Sequence, residues 1–529
     1  MKLSALPSLL FPLLLQTRSG QSAPARLSVN PDTGAFIDSE GNTYIFHGLN
    51  SVSKSGPIVE AISEEQLDVM EAAGFNVVRL GFSWDQVRGD ESVSSPRIHK
   101  LTHMQWEVKP DEWSDEYLQS ALDLIRSLGE RGIYSFIDMH QDVVSSQFCG
   151  HGFPEFYMWP ENSTEYLRDG KYAFPIPLAT PEYGEDDEYS VDFGLIDNCG
   201  DASSSPLGWA GMYMARALSN SCGMLYGNVD GRLDRFTTFW RKAAEVFKEE
   251  DYVLAYELVN EPWVGDTWKD PALIVPTVSD KKVLQPFYDT LAEAIREVDS
   301  DTIIFYEPST GGNIQDTFES GFTSGPGGSD FDEKNALSYH IYCPPLQTDI
   351  GTASKSKLVS KACVKASDWQ IGVRGKDVER LNTAGFLSEF GAVDPNNEYA
   401  RDYLRGVGDV VDTFLHSWTY WYMHVDVENG NAELRTLARS YARKTAGVVE
   451  SMNFDSDSGE FVLTFTTGAV GGESEIFASD FYYYGRGKNV VVEGGEVDGG
   501  AVSFVVDGDY VRVTNVVEGV EVVVTVTAK

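Results

Sequence analysis

The chain has 529 residues and carries 81 acidic against 41 basic side chains, a formal net charge of -40. Such a surplus repels phosphates and anionic headgroups, which argues against nucleic acid as a partner and disfavours passive docking on anionic lipid. A chain this long exceeds one ordinary core, so one large domain with a smaller companion is expected.

The N-terminus opens with Lys2 and an apolar run from Leu3 to Leu15, followed by small and polar residues. The run is too short to span a bilayer, and residues 1–24 are predicted to be a cleaved signal peptide, placing the mature protein outside the cell or in a lumen. No later segment has the uninterrupted apolar length of a membrane helix. The five cysteines, Cys149, Cys199, Cys222, Cys343 and Cys363, allow at most two intramolecular bridges and show no C-x-x-C spacing, so thiolate metal binding is not expected. Asn162-Ser163-Thr164 fits a glycosylation acceptor and agrees with secretion.

From residue 44 to about 445, short apolar runs alternate with amphipathic segments, the pattern of strand-helix units closing into a parallel (β/α)8 barrel. The eight strands are predicted at Tyr44–Ser51, Asn76–Trp84, Tyr134–His140, Val253–Pro262, Thr302–Pro308, Asn335–Tyr342, Gly385–Gly391 and Ser417–His424. Ser63 with Gln66 forms a capping box at the first helix, and Asp115–Arg131 carries apolar residues at helical spacing. The segment after the fifth strand has the weakest helical pattern. The catalytic domain is thus expected over residues 25–446.

A long insertion at about 143–232 follows the third strand, where a barrel needs only ~2 to 6 residues. Its apolar residues are Phe153, Phe156, Tyr157, Met158, Trp159, Phe174, Ile176, Leu178, Trp209, Met212, Tyr213, Met214 and Leu218. They fit either a satellite core under the loop or a wall for an apolar ligand. Beyond Gly447, alternating Val and Thr with glycine turns predicts a small antiparallel β-sandwich over 447–529.

Chemistry enters at the strand ends. The run ending in Asn260-Glu261-Pro262 delivers a carboxylate that proline keeps out of helix, and Gly385–Gly391 delivers Glu389 just before a turn. Glu257 and Glu307 also lie in or just after apolar runs, so position alone does not single out a pair. Collecting the polar strand ends gives Arg79, His140, Asn260, Glu261, His340, Tyr342, Glu389 and Trp421.

This set resembles the active-site signature of glycoside hydrolase family five, a family of retaining β-glycosidases. Asp138–Val143, Gly150–Pro154, the run from His340 to Leu346, Asp349–Gly351 and Asn50–Lys54 narrow the resemblance to endoglycoceramidases. The resemblance implies a (β/α)8 barrel with a C-terminal β-sandwich and hydrolysis of the bond between oligosaccharide and ceramide. It implies Glu261 as acid/base and Glu389 as nucleophile, with Arg79 and Tyr342 holding Glu389 ionised. Asn260, His140, His340, Trp421, Lys54 and Asp142 are expected to bind the sugar. No step calls for a metal or cofactor. The competing readings are a β-glucosidase or endo-β-glucanase of the same family, and a non-catalytic glycolipid-binding protein on the same fold.

Overall fold

A computed structural model describes residues 26–52, 62–85, 106–145, 148, 150–158, 213, 216–310, 315–348, 352–422, 432–494 and 500–529. Eight parallel strands close into a barrel in chain order: His47–Ser51, Val77–Gly81, Tyr134–Asp138, Val253–Glu257, Ile303–Tyr306, Asn335–Ile341, Ala384–Phe390 and Ser417–Tyr420. The strands are buried nearly throughout, as expected of a parallel sheet wrapped by helices.

The barrel interior changes character along its axis. Phe136, Phe305 and Phe386 pack with centroids 5.0–5.1 Å apart and, with Val77 and Ala255, belong to the apolar plug near the strand starts. Two residues further along the same strands stand Arg79, Asp138, Glu257 and, just past the fifth strand, Glu307. Because side chains alternate faces with period two, each of these replaces an apolar residue on the same side of its strand. The charged layer therefore sits on an apolar floor.

The helices follow the expected order. Ser63 caps Glu64–Ala72 through the complete capping box, and Ser114 caps Asp115–Gly129. Among the described residues, the long connection after strand three contributes the short helix Glu155–Met158 and the longer helices Arg216–Tyr226 and Arg232–Phe247. After strand five the expected helix is replaced, among the described residues, by two short 3-10 turns, Gln315–Thr317 and Ser329–Lys334. Gly325, Gly327 and Gly328 crowd that stretch, and the last two have positive φ, so no helix continues through them.

Most barrel strands are shorter than the sequence reading has them, and two boundaries shift because of the second domain. The first barrel strand begins at His47 because Thr43–Tyr44 pair with Lys444 and Thr445. A seven-stranded sheet thus combines the N-terminal strands Ser28–Asn30, Ala35–Ile37 and Thr43–Tyr44 with Tyr441–Thr445 and three later strands, so the sheet extends beyond the expected start at 447. It faces a four-stranded sheet containing Gly447–Asp455 and Glu460–Thr467 across a core of Phe461, Leu463, Phe465, Val511, Val522 and Val524.

Within the insertion, Phe153, Met158, Tyr213 and Leu218 are buried as part of the main core rather than in a separate satellite core under the loop. Trp159, Phe174, Ile176, Leu178, Trp209, Met212 and Met214 lie outside the described residues, as do the glycosylation triplet Asn162–Thr164 and the predicted signal peptide. One disulfide joins Cys343 to Cys363, Cys222 is free and buried, and Cys149 and Cys199 lie outside the described residues.

Candidate active site

Arg79, on the second strand and fully buried, is the hub of the site. Its Nε lies 2.5 Å from Glu257, Nη1 is 2.5 Å from Glu389 and 3.1 Å from Asn50, and Nη2 is 2.7 Å from Asn260 and 3.1 Å from Asp138. Burial alone would make a guanidinium easier to deprotonate, but the surrounding carboxylates raise its pKa well above the ordinary value. One cation thus fixes residues from strands one, two, three, four and seven.

Glu389 ends strand seven, buried, with Arg79 on one oxygen and the Tyr342 hydroxyl donating to the other at 2.6 Å. Two donors, one on each oxygen, hold the carboxylate in a fixed orientation. Glu261 sits opposite on the loop after strand four, its side chain about one-fifth exposed at 22%. Its backbone has φ 41°, a left-handed conformation that is costly for a residue with a side chain. Pro262 follows, and Gln141 holds the turn by donating to the Asn260 carbonyl at 2.8 Å and the Glu261 carbonyl at 3.1 Å.

An oxygen of Glu261, an oxygen of Glu389 and a ring nitrogen of His340 lie within 4.8 Å of one another. That spacing suits one carboxylate on each face of a bond, at the ~5 to 5.5 Å of a retaining pair rather than the ~6.5 to 9.5 Å that leaves room for an interposed water. His340 Nδ1 lies 2.8 Å from Glu261 and 3.5 Å from Glu389. Burial lowers the imidazole to about 3, against the pull of Glu389, so the ring is neutral. A neutral ring accepts from a protonated Glu261 or donates to an ionised one, according to its tautomer.

Glu307, after strand five, stands behind this pair. It accepts from the Glu261 backbone N–H at 3.3 Å and lies 3.5 Å from His340 Nε2 and 3.7 Å from Arg79. Burial and the charges of Glu257, Glu261 and Glu389 raise its pKa well above the carboxylate range. Glu257 is also raised by burial, but Arg79 contacts it directly, so the proton resides on Glu307. The folded pKa of Glu307 exceeds the unfolded value, ~4.3, so its contribution to stability is intact below that pH and is lost as pH rises through the folded pKa. Glu307→Gln, which keeps the shape without the titration, should therefore gain on the parent in thermal midpoint as pH rises from 4. By pH 8 the gain should reach ~2 °C or more, and a constant gap across the range would contradict a protonated Glu307.

The far wall is built by strand three and strand eight. His140 Nδ1 lies 2.6 Å from Asp138 Oδ2 and its Nε2 3.8 Å from Asp142, while His151 Nε2 lies 2.9 Å from Asp142. Burial opposes the charge on His140, but Asp138 and Asp142 outweigh it and carry the ring up to about 9. Trp421 stacks on His140 at 5.5 Å, with His151 on His140 at 5.3 Å. Val143 and Val144 both adopt positive φ just past Asp142, and their N–H groups donate to Tyr213 and Gln141 at 2.9 and 2.8 Å. Tyr213 in turn stacks on Trp263 at 5.3 Å, so the insertion buttresses this strained turn.

The structure thus brings together nine of the expected residues: Arg79, His140, Asp142, Asn260, Glu261, His340, Tyr342, Glu389 and Trp421. Lys54 lies outside the described residues. Reading strand ends alone passes over Asp138, Glu257 and Glu307, which occupy the layer beneath. Among the described residues, three groups of side chains have the geometry to hold a cation: His140 with Asp142 and His151, Glu257 with Glu307 and His340, and Glu261 with His340 and Glu389.

Residues 37–426 match the family described as Cellulase (glycosyl hydrolase family 5), and residues 439–526 match the glycoside hydrolase family 5 C-terminal domain. An endoglycoceramidase from Hydra vulgaris is 32% identical over 83% of this chain and 78% of its own length. Endoglycoceramidase I from Rhodococcus hoagii is 26% identical over 89% of this chain and 83% of its own. Endo-glycoceramidase II from Rhodococcus sp., solved with ganglioside GM3, superposes with TM-score 0.67 at 21% identity, covering 93% of this chain and 99% of that one. With the barrel, its second domain and the carboxylate pair at the strand ends all in place, the chain belongs to glycosyl hydrolase family 5 and is a glycosidase.

Proposed function

We propose that this chain cleaves the bond between an intact oligosaccharide and ceramide in glycosphingolipids, with net retention of anomeric configuration. The observation that carries the chemistry is the approach of Glu261 and Glu389 within 4.8 Å around His340. The lipid-linked substrate is supported by relatives named endoglycoceramidase over most of the chain and by the GM3 complex of a protein with the same fold.

Glu389, held by Arg79 and Tyr342, attacks the anomeric carbon as its oxygen-bound ceramide departs. Glu261 protonates that oxygen, with His340 relaying its orientation. Once the glycosyl-enzyme has formed, Glu389 is neutral, and Glu261 takes a proton from the water that releases the sugar. Asn260, anchored by Arg79, is placed to bind the sugar 2-hydroxyl. Asp142, the His140 ring and the face of Trp421 supply the contacts of the glycone side, together with Lys54.

We further propose that residues 1–24 direct the chain out of the cytosol and are removed; N-terminal sequencing of protein recovered from medium or lumen tests this. The substrate is tested by incubating the protein with mixed glycosphingolipids and weighing the products. Intact oligosaccharides with free ceramide are expected. Release of single hexoses would instead make the chain an exo-acting glucosidase of the same family.

A further inference from the structure

The acidic surplus is unevenly spread. Between residues 355 and 376 the sequence carries Lys355, Lys357, Lys361, Lys365, Arg374 and Lys376 against one acid, Asp368. This stretch forms most of the helix Lys357–Leu381, which follows barrel strand six and starts under a Ser356 cap. Cys363, Ser367, Gln370, Ile371 and Arg374 turn inward and are buried. On the opposite side Leu358, Lys365, Trp369 and Lys376 follow at intervals of seven, four and seven residues, which aligns them along one exposed line of an α-helix.

Leu358 is 78% exposed and Trp369 63%. The Trp369 indole donates to the Thr317 carbonyl at 3.2 Å, which seats the helix beside Phe318, itself 50% exposed. Lys357, Lys361 and Lys365 form no ion pair with a described residue. Lys357 and Lys361 share with Arg405 and the acids Asp402, Asp409, Asp455 and Asp457 a cleft of about 700 Å³ on the sandwich side. A large indole and an aliphatic chain standing in water beside unpaired lysines are the composition of a helix that lies on a lipid surface.

The position of this face gives it a purpose. The Cys343–Cys363 disulfide ties the helix to the residue after Tyr342, the donor to Glu389. On the other side, Asp316, next to Thr317, is close enough to Glu261 to feel its charge. The start of the exposed line therefore lies on the side of the barrel where strands five and six open into the site.

We propose that the face formed by Leu358, Trp369, Phe318 and the lysines 357, 361 and 365 docks on the anionic lipid surface in which the substrate is anchored. The proposal rests on the lipid-linked substrate inferred above. The molecule as a whole is acidic and is repelled by the same surface, so approach favours orientations that present this face. The overall charge and this local patch act together: the first sets the orientation and the second supplies the attraction.

The test is co-sedimentation of the full-length protein with sucrose-loaded vesicles of phosphatidylcholine, with and without phosphatidylserine. The parent should bind the phosphatidylserine vesicles more strongly, and binding should weaken as salt rises to ~0.15 M and beyond. Lys357→Gln with Lys361→Gln and Lys365→Gln should reduce that binding ~10-fold or more, since each lysine near an anionic surface contributes separately. Leu358→Ser with Trp369→Ser should reduce it ~10-fold on both lipid compositions. Both variants should keep parental turnover on a soluble aryl β-lactoside, which shows that fold and catalytic centre are intact, and should lose turnover on vesicle-borne glycolipid. Parent that ignores vesicles, or variants that bind them as the parent does with soluble turnover preserved, would overturn the proposal. Vesicle binding lost in the variants while the parent releases no ceramide would leave the docking face standing and remove the substrate reading instead.

Discussion

Glu389→Gln is expected to reduce turnover of glycosphingolipid by ~10⁴-fold or more while leaving affinity for the glycolipid within a few-fold of the parent. The amide preserves the volume between Arg79 and Tyr342 but cannot form the covalent ester through an anionic oxygen. In the parent both oxygens of Glu389 are engaged, one by the guanidinium and one by the phenol, so the carboxylate is aimed before substrate arrives. The rate lost is that of the chemical step, and a kinetic measurement should show it in kcat, with calorimetry showing binding retained. Residual hydrolysis above about one-hundredth of the parent rate would remove Glu389 from the nucleophile role.

The second large effect depends on the leaving group. Glu261→Ala should lower turnover of natural glycolipid ~10³-fold, because the ceramide alkoxide cannot leave without a proton. An aryl glycoside with an acidic phenol leaves unaided, so its first step should fall far less. The reaction should then stall at the glycosyl-enzyme, visible as a burst of phenol equal to the enzyme present, since Glu261 is also needed to activate water. Equal losses in the first step on both substrates, with no burst of phenol, would contradict the acid assignment. The surroundings suit the double role: the neutral His340 ring can serve either protonation state of Glu261, and the protonated Glu307 behind it adds no second negative charge.

These expectations rest on residues that the sequence displays to different degrees. Strand ends are legible because an apolar run that stops at a carboxylate, amide or histidine is a local signal, and Asn260, Glu261, His340 and Glu389 all carry it. Glu257 and Glu307 carry the same signal in weaker form. Their burial follows only from closure of the barrel, which sets Val77 and Arg79, Phe136 and Asp138, Ala255 and Glu257, and Phe305 and Glu307 as successive apolar and charged residues along neighbouring strands. A carboxylate inside an apolar run must find a cation, and Arg79 is the one the barrel places within reach. That inference was available in principle but needed the strand order.

The N-terminal strands were not legible for another reason. Thr43 and Tyr44 read as the start of barrel strand one, and their partners Thr445 and Lys444 lie some 400 residues away, so no periodicity reports the pairing. The basic helix face illustrates the same limit in charge: a total of -40 conceals a stretch of opposite sign until the fold shows which way it points.

The central claim is that Glu261 and Glu389 act on opposite faces of the one bond that joins the reducing-end sugar to ceramide. It is tested most directly by proton NMR of the first product formed from lactosylceramide, recorded before mutarotation. A retaining Glu261–Glu389 pair gives β-lactose with free ceramide, the β-anomer persisting until it equilibrates. α-Lactose as first product would show inversion and contradict the nucleophile assignment, and free galactose would show that the enzyme cuts a different bond.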